Sequence, residues 1–165
     1  MPNEQKTFRE KVFTFAHWIT NEKSARAQAE FRRLHENTIA SFFFFTAIEA
    51  DIGPLSDAQL KMWQAAAGAV ALATSNNNVS DTPLGEALAK AGVSEMRLLT
   101  WLRCREETRF DAARGMARIL AAKQEACRPE DIAYFVLSVD EAAESHRQQI
   151  AANYFRTIAT LNKPK

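Results

Sequence analysis

The stretch Ser56-Asp57-Ala58-Gln59-Leu60-Lys61-Met62-Trp63-Gln64-Ala65-Ala66-Ala67-Gly68-Ala69-Val70-Ala71-Leu72-Ala73-Thr74 announces a long helix. Ser56 is a good N-cap, and Gln59, three residues on, is its capping-box partner. Leu60, Trp63, Ala67, Val70 and Ala71 then recur at helical spacing. The composition extends that reading to the whole chain. Alanine supplies 29 of the 165 residues, while glycine and proline supply five each. Helix propensity and the scarcity of breakers both predict an all-α fold.

Working outward, Phe8, Val12, Phe15 and Ile19 predict a helix over 7–20, and Ala27, Phe31 and Leu34 another over 24–35. Residues 39–49 hold four consecutive phenylalanines, Phe42 to Phe45. They are too apolar all round for a surface helix, so a buried short helix or a packed loop is expected, closed by Gly53 and Pro54. Ser75-Asn76-Asn77-Asn78 is the clearest loop, and the expected divide between two lobes falls near residues 75–82. Thr82 is expected to cap a short helix that begins at Pro83 and ends near Gly92. Ser94 starts the next helix, which breaks near Glu106 or Thr108. A further helix over 109–126 carries Phe110, Ala113, Ala117 and Leu120. Pro129 opens another, and Asp140 is expected to cap the last, with Ala143, Ile150, Tyr154, Ile158 and Leu161 as its buried stripe. The sum is about eight helices in one domain, without an internal repeat or a linker rich in Gly, Ser or Pro.

With 47% hydrophobic and 25% charged residues, the balance is that of a folded domain. A chain of this size buries roughly 70% of its unfolded surface and needs neither disulfides nor a structural metal. The two thiols, Cys104 and Cys127, have no C-x-x-C spacing, so no zinc site and no disulfide framework is expected. A reducing, cytoplasmic home follows. The polar amino terminus does not read as a signal peptide, and no apolar run reaches the ~20 residues that span a bilayer.

The net charge of +1 conceals blocks of alternating sign. Residues 1–35 carry +3, 36–95 carry −5, 96–123 carry +4, 124–145 carry −5 and 146–165 carry +4. Arginine outnumbers lysine thirteen to eight, which suits phosphate recognition better than generic solubility. Catalytic and cofactor motifs are absent: there is no G-x-G-x-x-G, no G-x-x-x-x-G-K-[ST] and no H-E-x-x-H. The residues three before His17, His35 and His146 are Thr14, Arg32 and Ala143, so the Glu-x-x-His pairs of a di-iron bundle are missing. Glu106 and Glu107 are adjacent, and their side chains diverge on a helix and do not share a proton. No enzyme, metal or cofactor is expected.

What remains is arginine at helical intervals. Arg26 and Arg33, seven apart, share a stripe, with Lys23 beside Arg26 and Arg32 to one flank. Arg105 and Arg109 are four apart, as are Arg114 and Arg118, so each pair could straddle consecutive phosphates. The plainer alternative is a solvated charged face, because Glu22, Glu30 and Asp111 stand three or four residues from Arg26, Arg33 and Arg114. Six arginines with three acids among them between Arg97 and Arg118 favour binding. Leu84-Gly85-Glu86-Ala87-Leu88-Ala89, with the Gly92-Val93-Ser94 turn and Leu98, also reads like a helix-turn-helix, although Leu88 occupies a place that usually needs a small residue.

Taken longer, the same stretch resembles a specific family. Leu84-Gly85-x-Ala87-Leu88-Ala89, followed by Ser94-Glu95-x-Arg97, Leu98, Leu99, Leu102 and Arg103, is similar to the central signature of the CasB family, the small subunit of the type I-E CRISPR surveillance complex Cascade. Ala25-Arg26-Ala27 with Phe31-Arg32-Arg33, and the aromatic block from Phe42 to Phe45, match its early motifs. Arg114, then Arg147-Gln148-Gln149 before Tyr154-Phe155, match its later ones. The resemblance covers most of the chain, and its weight lies in order and spacing rather than in any one piece. Where the family often carries tryptophans, this chain has Ala133-Tyr134-Phe135-Val136.

The resemblance implies two small packed helical bundles without catalytic activity, present as a pair of copies within the complex. Such a subunit bridges the backbone filament on the guide RNA to the large subunit and stabilises the R-loop of target and non-target DNA strands. Base pairing reads the sequence, so the subunit holds strands by their phosphates. It implies Arg26, Arg32, Arg33, Arg97, Arg103, Arg114 and Arg147 as nucleic-acid-facing residues, whereas Lys23, Arg105, Arg109 and Arg118 rest on spacing alone. Arg97 has a structural alternative, a pair with a buried acid, because the first turn of a helix is unfavourable for a cation. The acidic stretch 124–145 is the expected docking face for a protein neighbour. Two rival readings remain, a helix-turn-helix regulator and a helical protein-interaction adaptor that binds no nucleic acid.

Overall fold

The computed structural model describes residues 6–22, 24–39, 41–75 and 78–164, with the backbone alone of Phe42 and Phe43. Among the described residues the fold is all-α. Its nine helices are α1 (Phe8–Asn21), α2 (Ala25–Arg33), α3 (Phe42–Ile52), α4 (Asp57–Ala73), α5 (Leu84–Lys90), α6 (Glu95–Arg103), α7 (Thr108–Lys123), α8 (Pro129–Leu137) and α9 (Asp140–Leu161). The phenylalanine run is a helix, α3, which accounts for the ninth. Its Phe44 is fully buried while Phe45 is 40% exposed.

Local chemistry starts most of these helices. The Ser56 hydroxyl accepts from the Gln59 amide at 3.2 Å, and the Gln59 side chain accepts from the Ser56 amide at 3.0 Å, closing the capping box at α4. Thr7 and Glu10 do the same for α1. Ser24, Ser41 and Ser94 cap α2, α3 and α6 through their hydroxyls. Pro129 is the first residue of α8, where its missing amide costs nothing.

Two expected caps are corrected. Thr82 does not cap α5: Pro83 is the cap residue, and the Leu84 amide donates instead to the Asp131 carboxylate of α8 at 3.0 Å. Asp140 does not cap α9 either. Val139 precedes the helix without a side-chain cap, and Asp140 is its first residue with φ of 53°. At the other end of α5 the glycine expectation holds. Gly92 has φ of 78°, its amide donates to the Ala89 carbonyl at 3.1 Å, and the Val93 amide donates to the Leu88 carbonyl at 3.1 Å, the bond pair of a Schellman motif.

The core sits around α4, whose residues from Trp63 to Ala73 are buried apart from Leu72. It packs against α7, α8, α2 and α1, and small alanine side chains let four neighbours approach one helix. Gly68 marks the closest approach. A Cβ there would drive into the backbone carbonyl of Leu34, at the end of α2. Gly85 does the same for α5 on α9, where a Cβ would run into the carbonyl of Ile150. The buried side chains form one continuous cluster. Asn78 donates to the Glu125 carbonyl at 2.8 Å and Val79 bridges to Cys127, so residues 78 and 79 are tied to the segment after α7.

Two stripes are narrower than expected. Phe8 is 45% exposed, so Val12, Phe15, Ala16 and Ile19 carry the inner face of α1. Leu161, the last residue of α9, is 57% exposed, and the helix's buried residues are Ala143, His146, Arg147, Ile150 and Tyr154.

Candidate nucleic-acid interface

A helix leaves its last carbonyls without intrahelical donors, and these sit at the negative end of the helix dipole. Four of the arginines singled out in the sequence answer that need in the fold. Arg114 of α7 donates from Nη1 to the Leu34 carbonyl and from Nη2 to the Arg32 carbonyl, both at 3.0 Å, which closes the end of α2. Arg109 donates from Nε to the Val136 carbonyl at 2.8 Å, near the end of α8, with its guanidinium 5.2 Å from the centre of the Phe110 ring. Arg105 donates to the Leu102 carbonyl at 2.8 Å and the Cys104 carbonyl at 3.1 Å, closing α6. It also reaches Glu144 at 3.2 Å across an exposed gap. Arg147 of α9 is buried, donates to the Cys104 carbonyl at 3.2 Å and lies 5.5 Å over the Phe135 ring.

Three of these arginines share one electrostatic signature. Burial pulls the pKa of Arg109, Arg114 and Arg147 below the ordinary guanidinium value. For Arg147 the neighbouring Arg105 and Arg109 add to the effect, and Glu144 opposes it. Arg105, Arg109 and Arg147 therefore form one cluster around the α6–α7 turn. Arg114 belongs to another contact, where Gly68 admits the Leu34 carbonyl and Arg114 binds it.

The remaining arginines face outward. Arg26 and Arg33 lie exposed on α2, Arg97 and Arg103 on α6, and Arg118 on α7. Among the described residues none of the five side chains has a hydrogen bond or ion pair. Arg97 finds no acid, so its structural alternative has no partner here. Arg32 is half-buried at the end of α2, where its carbonyl receives Arg114. Lys23 lies outside the described residues. The free arginines of α2 and α6 stand on helices held from behind, α2 by Arg114 and α6 by Trp101, which packs on Gly115 of α7 at 3.2 Å from where a Cβ would stand. The exposed face of α6 adds Met96, 80% exposed, and Thr100.

A second region went unremarked in the sequence. A cavity of about 340 Å³ opens between α1, the start of α8 and α9, with Arg9 and Arg128 among the residues that line it. His146 lies at its base, with Nε2 2.9 Å from the Asp131 carbonyl. Burial, the largest cause, holds its pKa below the ordinary imidazole value. His17 and Glu130 face one another at 3.6 Å. Only block charge could have pointed here: Arg9 lies in the basic block 1–35 and Arg156, just beyond the cavity, in the basic block 146–165.

Among the described residues no three His, Cys, Asp or Glu side chains converge as a metal site would require. Among the described residues no helix is long and apolar enough to cross a membrane. Cys127 is buried, and burial pushes its thiol pKa far up, while Cys104 is half-buried and free. Comparison with models of known protein families, with curated proteins and with solved structures found no match.

Proposed function

We propose that the chain is a non-catalytic, nucleic-acid-binding structural subunit of a type I-E CRISPR surveillance complex. It acts in the cytoplasm, steadies the guide RNA and target DNA R-loop through sequence-independent phosphate contacts, and bridges the backbone filament and the large subunit. One observation carries the reading. Arg26, Arg33, Arg97, Arg103 and Arg118 stand exposed on rigid helices without a partner among the described residues, while other arginines of the same helices and turns anchor those helices. Uncompensated cations on a fixed scaffold bind phosphates with little ordering cost. The order and spacing of the motifs that resemble the CasB family support the same reading.

A helix-turn-helix regulator is the second reading, favoured by the exposed α6 face of Met96, Arg97, Thr100 and Arg103 behind the Gly92 turn. Against it, α5 leans chiefly on α9, and α6 on α7 and α9, rather than on one another. Fluorescence polarisation with unrelated single- and double-stranded DNA separates the readings. The surveillance reading expects binding to each without sequence preference, weakening steeply between about 50 and 200 mM salt. A preference for one palindromic duplex would favour the regulator. Absence of binding at low salt would leave the adaptor.

A further inference from the structure

The cavity between α1, α8 and α9 is not isolated. It shares Arg9 and Phe13 with a shallower depression over α1 that reaches Lys6. On its other side it shares Ser145 and Gln149 with a depression along α9 that reaches Asn153 and Arg156. The three run into one another as a groove. Cations stand along it at Lys6, Arg9, Arg128 and Arg156, and none of them was among the arginines or lysines singled out from sequence.

Against these four cations the groove holds three carboxylates: Glu10, in the capping box with Thr7, Asp131, which accepts the Leu84 amide, and Glu130, whose Oε2 lies 3.6 Å from His17 Nε2 without a hydrogen bond. Arg9 and Arg156 have no side-chain partner among the described residues, and Arg128 uses only Nε, on the Asp81 carbonyl at 2.7 Å. Phe13, 50% exposed, presents an aromatic ring beside these charges. Gln149 and Asn153 add amides that can both donate and accept. Spaced cations, an exposed ring and amides along a groove are the elements that hold an unpaired strand, whose bases are free to stack. A duplex keeps its bases stacked inside and has no use for the ring.

We propose that this groove is a binding track for single-stranded nucleic acid, distinct from the exposed arginines of α2, α6 and α7. Phosphates lie along Arg9, Arg128 and Arg156, and one base enters the central cavity against Phe13. The track rests on the nucleic-acid reading above for its class of ligand, and on the groove for its place.

The test uses the full chain and an unrelated single-stranded oligonucleotide carrying 2-aminopurine, with the corresponding duplex as control. Binding should change the 2-aminopurine emission. Arg9→Ala with Arg156→Ala, and separately Phe13→Leu, should each weaken single-strand binding by about tenfold and leave duplex binding within about twofold. Arg26→Ala with Arg33→Ala and Arg118→Ala should weaken the duplex instead. The two arginine sites are exposed and Phe13→Leu keeps the apolar contact, so unchanged thermal melting separates lost binding from lost folding. If the groove variants bind single strands as wild type does while the α2 and α7 variant loses the duplex, the track is wrong and the nucleic-acid function survives. If wild type binds neither form at low salt, both fall.

Discussion

Arg114→Ala is the sharpest test of how this fold uses its arginines. The substitution removes two charge-assisted hydrogen bonds at 3.0 Å, to the Leu34 and Arg32 carbonyls. The Leu34 carbonyl is pressed against Gly68, so it has little room for a replacement water. Hydrogen bonds to charged groups contribute about 1.5–3 kcal/mol each, and the guanidinium is only half-buried, so the combined loss is about 2–4 kcal/mol. For a chain of this size that lowers Tm by about 5–12 °C. Arg118 stands one turn further along α7, exposed and unpartnered among the described residues, and Arg118→Ala should change stability by less than about 0.5 kcal/mol. Arg114→Lys should recover less than half of the loss, since one ammonium cannot span both carbonyls with the same fork. Urea denaturation followed by circular dichroism reads all three variants. Equal midpoints for Arg114→Ala and Arg118→Ala would refute the clamp.

Three other outcomes follow from the packing and the titrating groups. Gly68→Ala should destabilise by about 2–4 kcal/mol in the same assay, because its Cβ meets backbone and not a side chain that can swing away. His146 has a folded pKa below its ordinary 6.5, so its contribution to stability is full above that value and is lost as pH falls below it. The acid limb of a stability–pH curve should therefore be shallower in His146→Gln, and an unchanged limb would contradict the assignment. Cys127, buried and with its thiol pKa pushed up, should resist a thiol reagent in the native protein and react only on unfolding, as counted by absorbance.

The parts of this fold that were legible from sequence are those governed by neighbours in the chain. Ser56 with Gln59, Ser94, Pro129 and Gly92 act within a few residues of themselves, and each does in the structure what its spacing implied. Thr82 and Asp140 carry the same local signal but do not cap. The α5 amide is taken by Asp131, 47 residues away, and local spacing cannot weigh a competitor that distant. The arginines divide in the same way. Spacing set Arg105 with Arg109 and Arg114 with Arg118 four residues apart, but only the second pair shares a helix, since Arg105 lies in the turn between α6 and α7. It could not show that Arg109 and Arg114 reach helix ends at Val136 and Leu34, because those carbonyls are brought near by tertiary packing, whereas Arg105 closes α6 on Leu102, only three residues back. The groove was the least legible feature, since Arg9, Arg128 and Arg156 lie on three separate segments and only the fold sets them in line.

The most direct test of the central claim is the salt dependence of duplex binding in wild type and in the Arg26→Ala, Arg33→Ala, Arg118→Ala variant. Each phosphate neutralised by an arginine adds about 0.9 to the slope of log K against log salt on duplex DNA. The account predicts that wild type binds unrelated duplexes with a steep slope, and that the variant's slope is shallower by about two to three units. A slope that the three substitutions leave unchanged, or wild-type protein that does not bind at low salt, would contradict it.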